Sequence, residues 1–324
     1  MANSVRPDPL VFSTTTLPNG QYGSSYVPLT LTVTGGNAPY TFAVTGGAMA
    51  PGINLSADGT LSGTPLAAGS FTFTVTATDA TPSPGENTGT QDLTLVVDQA
   101  ALTITAANAG KAYGAALPTL SVTYGGFVNG DGAGNLTTPP TLSTTATAAS
   151  PVNTYPITAG GAADANYTIS YTPGTLTVTT AALTITAVST SKAYGAALPA
   201  LSVTYGGFVN GDGAGNLATP PTLSTTATAA SPVNTYPITA GGAADANYTI
   251  SYTPGTLTVT PVALTITAAN ASKAYGAALP TLSVTYGGFV NGDAAGNLTT
   301  PPTLSTTATA ASPVNTYPIT AGGA

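Results

Sequence analysis

Apolar and polar residues alternate one by one along much of this chain. Ala101-Leu102-Thr103-Ile104-Thr105-Ala106, Leu120-Ser121-Val122-Thr123-Tyr124, Tyr167-Thr168-Ile169-Ser170-Tyr171 and Thr175-Leu176-Thr177-Val178-Thr179 all follow it. A period of two, rich in Thr, Val, Ile and Tyr, predicts strands with one buried and one wet face. Gly-Gly, Asn-Gly-Asp-Gly, Pro-Pro and Thr-Pro-Gly separate the runs, and these are turn formers. No stretch carries a 3.6-residue stripe long enough for a helix.

The pattern repeats. Lys111-Ala112-Tyr113-Gly114-Ala115-Ala116-Leu117-Pro118 returns at Lys192–Pro199 and again at Lys273–Pro280, 81 residues apart each time. A unit of 81 residues exceeds the 20–50 of a solenoid and is long enough to own a core. Seven short strands per unit fit a sandwich. Residues 9–98 are different, with alternating runs at Leu29–Thr34, Phe71–Thr76 and Leu93–Val97. The expected fold is all-β: a tandem array of Ig-like sandwich modules at 1–98, 101–180, 182–261 and 263–324. Junctions of two or three residues (Asp98-Gln99-Ala100, Thr180-Ala181, Pro261-Val262) predict a stiff, elongated rod, on the order of 100–150 Å from strands rising ~3.3 Å per residue. The last unit stops at Ala324, the counterpart of Ala162, so its last two strands are missing from the sequence.

Composition narrows the function. Charged residues are 5% of the chain and hydrophobic ones 42%, so a core forms while solubility rests on Thr, Ser, Asn and the backbone. Net charge is −7, and Arg6, Lys111, Lys192 and Lys273 are the only cations. That excludes a nucleic-acid partner, which needs clustered Lys and Arg. No apolar run approaches the roughly 20 residues of a membrane span, and residues 1–30 lack a secretory signal pattern. His and Cys are absent, which removes the commonest general base and the thiol nucleophile. No catalytic residue and no cofactor are assigned, and the chain is not expected to be an enzyme.

Several residues offer chemistry. Asn129, Asp131 and Asn135, with counterparts in both later copies, are weak calcium candidates, because calcium needs only oxygen ligands. Their loop lacks the dense carboxylates of a calcium loop, and Asn and Asp are ordinary turn residues. Asp79 and Asp98 stand near strand ends without a calcium motif. One lysine per copy allows an isopeptide bond to Asn166 or Asp164, but a surface lysine that discourages edge pairing explains it more simply. Tyr113, Tyr124, Tyr155, Tyr167 and Tyr171 read as core or bridging residues in preference to a sugar platform. The Asn135 and Asn166 sequons are expected by chance in a Thr-rich chain.

Two resemblances follow from motifs. Gly35-Gly36-Asn37-Ala38-Pro39-Tyr40-Thr41-Phe42, Ala50-Pro51-Gly52-Ile53-Asn54-Leu55 and Gly59-Thr60-Leu61-Ser62-Gly63-Thr64-Pro65 make the first module similar to the Ig-like (cadherin-like) domains of bacterial surface proteins. Lys111-Ala112-Tyr113-Gly114, Tyr124-Gly125-Gly126-Phe127, Asn166-Tyr167 and Gly174-Thr175-Leu176-Thr177-Val178 make the repeats resemble MBG-type domains of large bacterial adhesins and filamentous-haemagglutinin-like exoproteins. Both resemblances imply secreted β-sandwich spacers with no active site. The expected role is a spacer, stalk or fibre segment outside the cell, with neighbouring copies or adjacent modules as partners. One alternative is a filament subunit whose last module is completed by a neighbour's strand, with Arg6–Thr16 as donor unless Leu10–Phe12 is the first strand of its own module. The other is an adhesive module that binds a surface ligand through residues 1–100.

Overall fold

The computed structural model of the chain describes residues 8–82 and 85–324. It is built from strands, with single 3-10 turns at Ala133–Asn135, Ala214–Asn216 and Ala295–Asn297. The chain divides into two compact units, Met1–Thr179 and Thr180–Ala324.

The first unit opens with β1 (Val11–Phe12), β2 (Gly20–Gln21), β3 (Tyr26–Thr30), β4 (Val33–Thr34), β5 (Thr41–Gly47), β6 (Ile53–Leu55), β7 (Thr60–Gly63), β8 (Gly69–Thr78) and β9 (Thr88–Asp98). One sheet has the order β2-β9-β8-β5, a second β3-β7-β6, and β1 pairs with β4. The long β8–β9 hairpin is the alternation made visible: Phe73, Val75, Ala77, Leu93, Leu95 and Val97 all point inward and are buried. The outer face is held by threonine ladders, such as Thr72–Thr94 (3.0 Å) and Thr45–Thr76 (2.7 Å). Such cross-strand hydroxyl pairs give a wet face without ions, which explains how so few charges suffice.

The run 29–34, which reads as one strand, is two. It breaks at Leu31, which is buried and whose N–H donates to Gly59 O (2.8 Å), and the chain passes from the β7 partnership to that of β1. Leu10 and Phe12 are buried in this same module, so Val11–Phe12 is its own first strand and not a donor left for another chain. Arg6 and Pro7 of the proposed donor lie outside the described residues.

After Gln99 the first repeat begins. Its seven strands are β10 (Ala100–Ala106), β11 (Ala109–Ala112), β12 (Val122–Gly125), β13 (Thr141–Thr144), β14 (Asn153–Gly160), β15 (Tyr167–Thr172) and β16 (Gly174–Thr179). They form sheets of order β12-β10-β15 and β11-β16-β14-β13. Two pairings are parallel, Ala100 with Tyr167 through Thr105 with Thr172, and Ala109 with Leu176 through Ala112 with Thr179. Start and end of the repeat therefore lie side by side in both sheets. Separate cores were expected for the modules, yet one buried cluster runs from Leu61, Phe73 and Leu95 into Leu102, Ile104 and Tyr167 of the repeat. Only the far half of the repeat, around Ile157 and Leu176, keeps a cluster of its own.

In the second unit, residues 181–260 repeat the seven strands in the same order and register. The last copy has two hairpin pairs, Thr265–Ala268 with Val284–Gly287 and Thr303–Thr306 with Ile319–Gly322. None of its residues is buried. A cleft of about 550 Å³ opens among Ala268, Leu282, Tyr317 and Ile319, where the second copy has the sealed cluster of Ala187, Ile238 and Leu257.

Candidate functional site

In the first two repeats the second strand, β11 (Ala109–Ala112) or its counterpart Thr190–Ala193, runs straight into a Tyr-Gly turn. In the first copy the Tyr113 N–H donates to Thr179 O (2.8 Å), and the Ala115 N–H closes the turn on Ala112 O (3.1 Å). The second copy does the same with Tyr194, Thr260, Ala196 and Ala193. Gly114 and Gly195 sit at φ +78° and +77°, where a residue with a Cβ is strained. The first module builds the same device from an unrelated sequence. Strand β2 pairs in parallel with β9, the Tyr22 N–H donates to Asp98 O (2.9 Å), and the Ser24 N–H closes on Gln21 O (3.1 Å) with Gly23 at φ +71°.

In the first unit this turn meets the loop Val128-Asn129-Gly130-Asp131 of the first repeat. The Tyr22 hydroxyl donates to Asp131 Oδ2 at 2.7 Å, and the Tyr167 hydroxyl donates to the same oxygen at 2.7 Å. Tyr167 Oη also accepts the Val128 N–H (3.1 Å), and the two rings stand edge to face at 5.4 Å. Burial raises the pKa of both phenols. The Asp131 carboxylate adds to it, and Tyr167 is pushed up to about 12. Asn129 adopts φ 55°, a left-handed conformation that Asn tolerates, and its amide donates to Pro65 O (3.2 Å). A Cβ on Gly23 would stand 2.2 Å from Val128 Cγ2, so glycine alone lets the turn approach. Around this centre the Ala68 N–H donates to Asn166 Oδ1 (2.9 Å) and the Gln99 amide to Ala165 O (2.8 Å).

The second unit has a sparser version. Tyr194 donates to Asp293 Oδ2 at 3.0 Å, and a Cβ on Gly195 would stand 2.8 Å from Val290. Tyr167 packs on Phe127 and Asp131 in the first repeat. Their counterparts Phe289 and Asp293 line a gap of about 180 Å³.

Each of the three calcium candidates is engaged by protein groups, and Asn129 and Asp131 both meet the Tyr22 hydroxyl. Asp131 accepts from two tyrosines, the Asn129 amide turns to Pro65, and Asn135 Oδ1 caps the Gly132 N–H (3.0 Å) inside its own loop. Asp79 is buried among the N–H groups of Asn37, Thr81 and Asn87, the Thr81 hydroxyl and the Asn87 amide. Burial raises its pKa, but these donors outweigh burial and hold it at about 2. Asp98 accepts from Asn19 (3.1 Å).

The surface reading of the lysines is corrected. Lys111 and Lys192 are buried, and Lys111 Nζ donates to Ala112 O (3.3 Å), Ala115 O (3.1 Å) and Ala148 O (2.9 Å). Ala112 O already accepts the Ala115 N–H, so the ammonium serves chiefly the Ala115 and Ala148 carbonyls. Lys111 lies on edge strand β11 and points inward, so it still disfavours edge pairing, from inside. Asn166 is occupied with Ala68 and Asp164 with the Asn166 N–H, so neither serves as its isopeptide partner. Of the tyrosines, Tyr113 and Tyr167 are buried, Tyr124 and Tyr155 half-buried, and Tyr171 is exposed at 37%. Tyr22 was not legible as a bridging residue, although the Tyr-Gly pair it shares with 113–114, 194–195 and 275–276 was there to be seen.

This is a site where sandwich modules lock onto their neighbours, in a chain of tandem Ig-like domains. The chain belongs to the MBG domain (YGX type) family, whose model matches residues 102–177, 183–258 and 264–324. The model of the family described as Putative Ig domain matches residues 8–98. Neither is an enzyme family. No curated protein matches the chain. Among solved structures it is similar to the protocadherin gammaB4 extracellular domain (14% identity, 86% of this chain and 56% of that one, TM-score 0.32). It thus spans little more than half of that chain. It is also similar to the human desmocollin-1 ectodomain (11%, 80% and 63%, 0.29) and to Drosophila N-cadherin EC1-3 (11%, 77% and 100%, 0.27). No helix among the described residues is long and apolar enough to cross a membrane.

Proposed function

We propose that the chain is an extracellular structural protein, a spacer, stalk or fibre segment of a bacterial surface adhesin. The observation that carries this reading is the use of the repeated loop's chemistry: Asn129 and Asp131 are spent on the neighbouring module and not turned toward a ligand. The shared core across the same junction supports it, since burial that crosses a boundary resists bending. An acidic chain without Cys or His suits export and durability more than catalysis. Pulling single molecules by atomic force microscopy tests the role. The expected trace is a sawtooth whose longest steps release about 25–30 nm, the contour of an 81-residue unit at ~3.6 Å per residue. A featureless extension at low force defeats the load-bearing reading.

A second reading rests on the open cleft of the last copy, which a strand patterned like Gly174–Thr179 would fill. In that reading a neighbouring chain supplies the strand, from a segment other than Leu10–Phe12. Filaments in electron micrographs of the purified chain would favour it over the spacer.

A further inference from the structure

The same two parts meet in both units. A Tyr-Gly turn at the end of a parallel strand presents a phenol and a bare Cα, and a Val-Asn-Gly-Asp loop of the following module supplies a carboxylate and a valine. Tyr22 and Gly23 meet Asp131 and Val128; Tyr194 and Gly195 meet Asp293 and Val290. The last copy carries the turn of the first part in the same conformation, without the parallel strand that precedes it in the other copies. Gly276 lies at φ +74°, and the Ala277 N–H closes on Ala274 O at 3.1 Å. Here, however, the space beside Gly276 is empty to 4 Å, and Tyr275 is 70% exposed. An aromatic ring held out by a preformed turn, with glycine beside it, is half of a junction.

We propose that Tyr275–Gly276 docks the Val-Asn-Gly-Asp loop of a further MBG-type module joined in sequence behind the last copy. The phenol donates to the loop's aspartate and the glycine admits its valine. Both internal precedents join modules that are neighbours in sequence, which favours this occupant over a second chain. The inference rests on junction geometry and not on the extracellular role, so the two fail separately.

Nitration by tetranitromethane, mapped by mass spectrometry after tryptic cleavage, reads the state of each tyrosine. Lys192 and Lys273 stand two residues before Tyr194 and Tyr275, so the two sites fall in separate peptides. Two extended chains are compared: one with a copy of residues 163–180 appended after Ala324, which completes the last module, and one with a copy of 163–261, which adds a further module with its loop. Tyr275 is expected to react about tenfold more slowly in the longer chain than in the shorter, the effect of a hydrogen bond to a carboxylate. Asp212→Ala made only in the appended copy should restore most of the rate. In the unextended protein, Asp293→Ala should speed nitration of Tyr194. Equal rates at Tyr275 in the two extended chains would overturn the proposal, as would a Tyr194 that ignores Asp293→Ala. Protection of Tyr275 in the unextended chain that grows with protein concentration would point to a second copy and overturn the assignment to a following module.

Discussion

Tyr22→Phe removes one oxygen from the junction of the first module and leaves everything else in place. The ring keeps its contact with Tyr167, so the change isolates the hydroxyl that donates to Asp131 Oδ2 at 2.7 Å. A hydrogen bond to a charged group contributes about 1.5–3 kcal/mol. Tyr167 still donates to the same oxygen, and Asp131 is only half-buried, so water replaces part of what is lost. We expect a net loss of about 1–2 kcal/mol in the free energy that keeps the junction closed. At about 1.4 kcal/mol per tenfold, the junction opens roughly 5–30 times more often. Amide hydrogen exchange followed by mass spectrometry reports such local opening. The loop peptides differ in mass, since Gly132, Gly213 and Ala294 follow the three aspartates and Ala218 replaces the Thr found at 137 and 299. Exchange should accelerate over 128–131, with 290–293 unchanged as the internal control. Unchanged exchange at 128–131, or equal acceleration in both loops, would refute the assignment of Tyr22 as a lock.

Two further outcomes follow from the buried polar groups. Asp79 is held at about 2, below the ~3.9 of an unfolded aspartate, so the unfolded chain takes up the proton first on acidification. The stability it lends the first module is present above about pH 4 and drains away toward pH 2. Calorimetry should show that module's transition falling across this window, and Asp79→Asn should flatten the dependence. Lys111→Met leaves the Ala115 and Ala148 carbonyls without their ammonium donor and should cost the first repeat about 1–3 kcal/mol. Lys273→Met, at a half-buried position in a copy with no buried residue, should cost less, about 0.5–1 kcal/mol. Urea unfolding of the two variants, read by exchange in each repeat, separates them; equal shifts would contradict the carbonyl-capping role.

The strands were legible because burial in this chain is one-sided and regular. Leu102 and Ile104, or Leu176 and Val178, announce their inward face by spacing alone, and the structure buries them completely or nearly so. Leu29–Thr34 misled because alternation continues unbroken while the hydrogen-bond partner changes at Leu31. The burial of Lys111 was hidden for another reason. Its acceptor at Ala148 lies 37 residues away in a loop whose path no local pattern encodes. Tyr22 and Asp131 are 109 residues apart and belong to modules of different families, so neither repeat alignment nor periodicity joins them.

The parallel pairings of β10 with β15 and of β11 with β16 also govern the order in which a copy comes into being. Thr103 and Ser170 are 67 residues apart in the chain, so a copy closes only after nearly all of it has been synthesised. By then a rival is on its way: Gly255–Thr260 spells the same six residues as Gly174–Thr179 and would fit β11 equally well. Doubling a loop costs only about 0.6 kcal/mol, too little to enforce fidelity at equilibrium. Correct pairing thus depends on the nearer strand being synthesised first, and refolding from denaturant forfeits that head start.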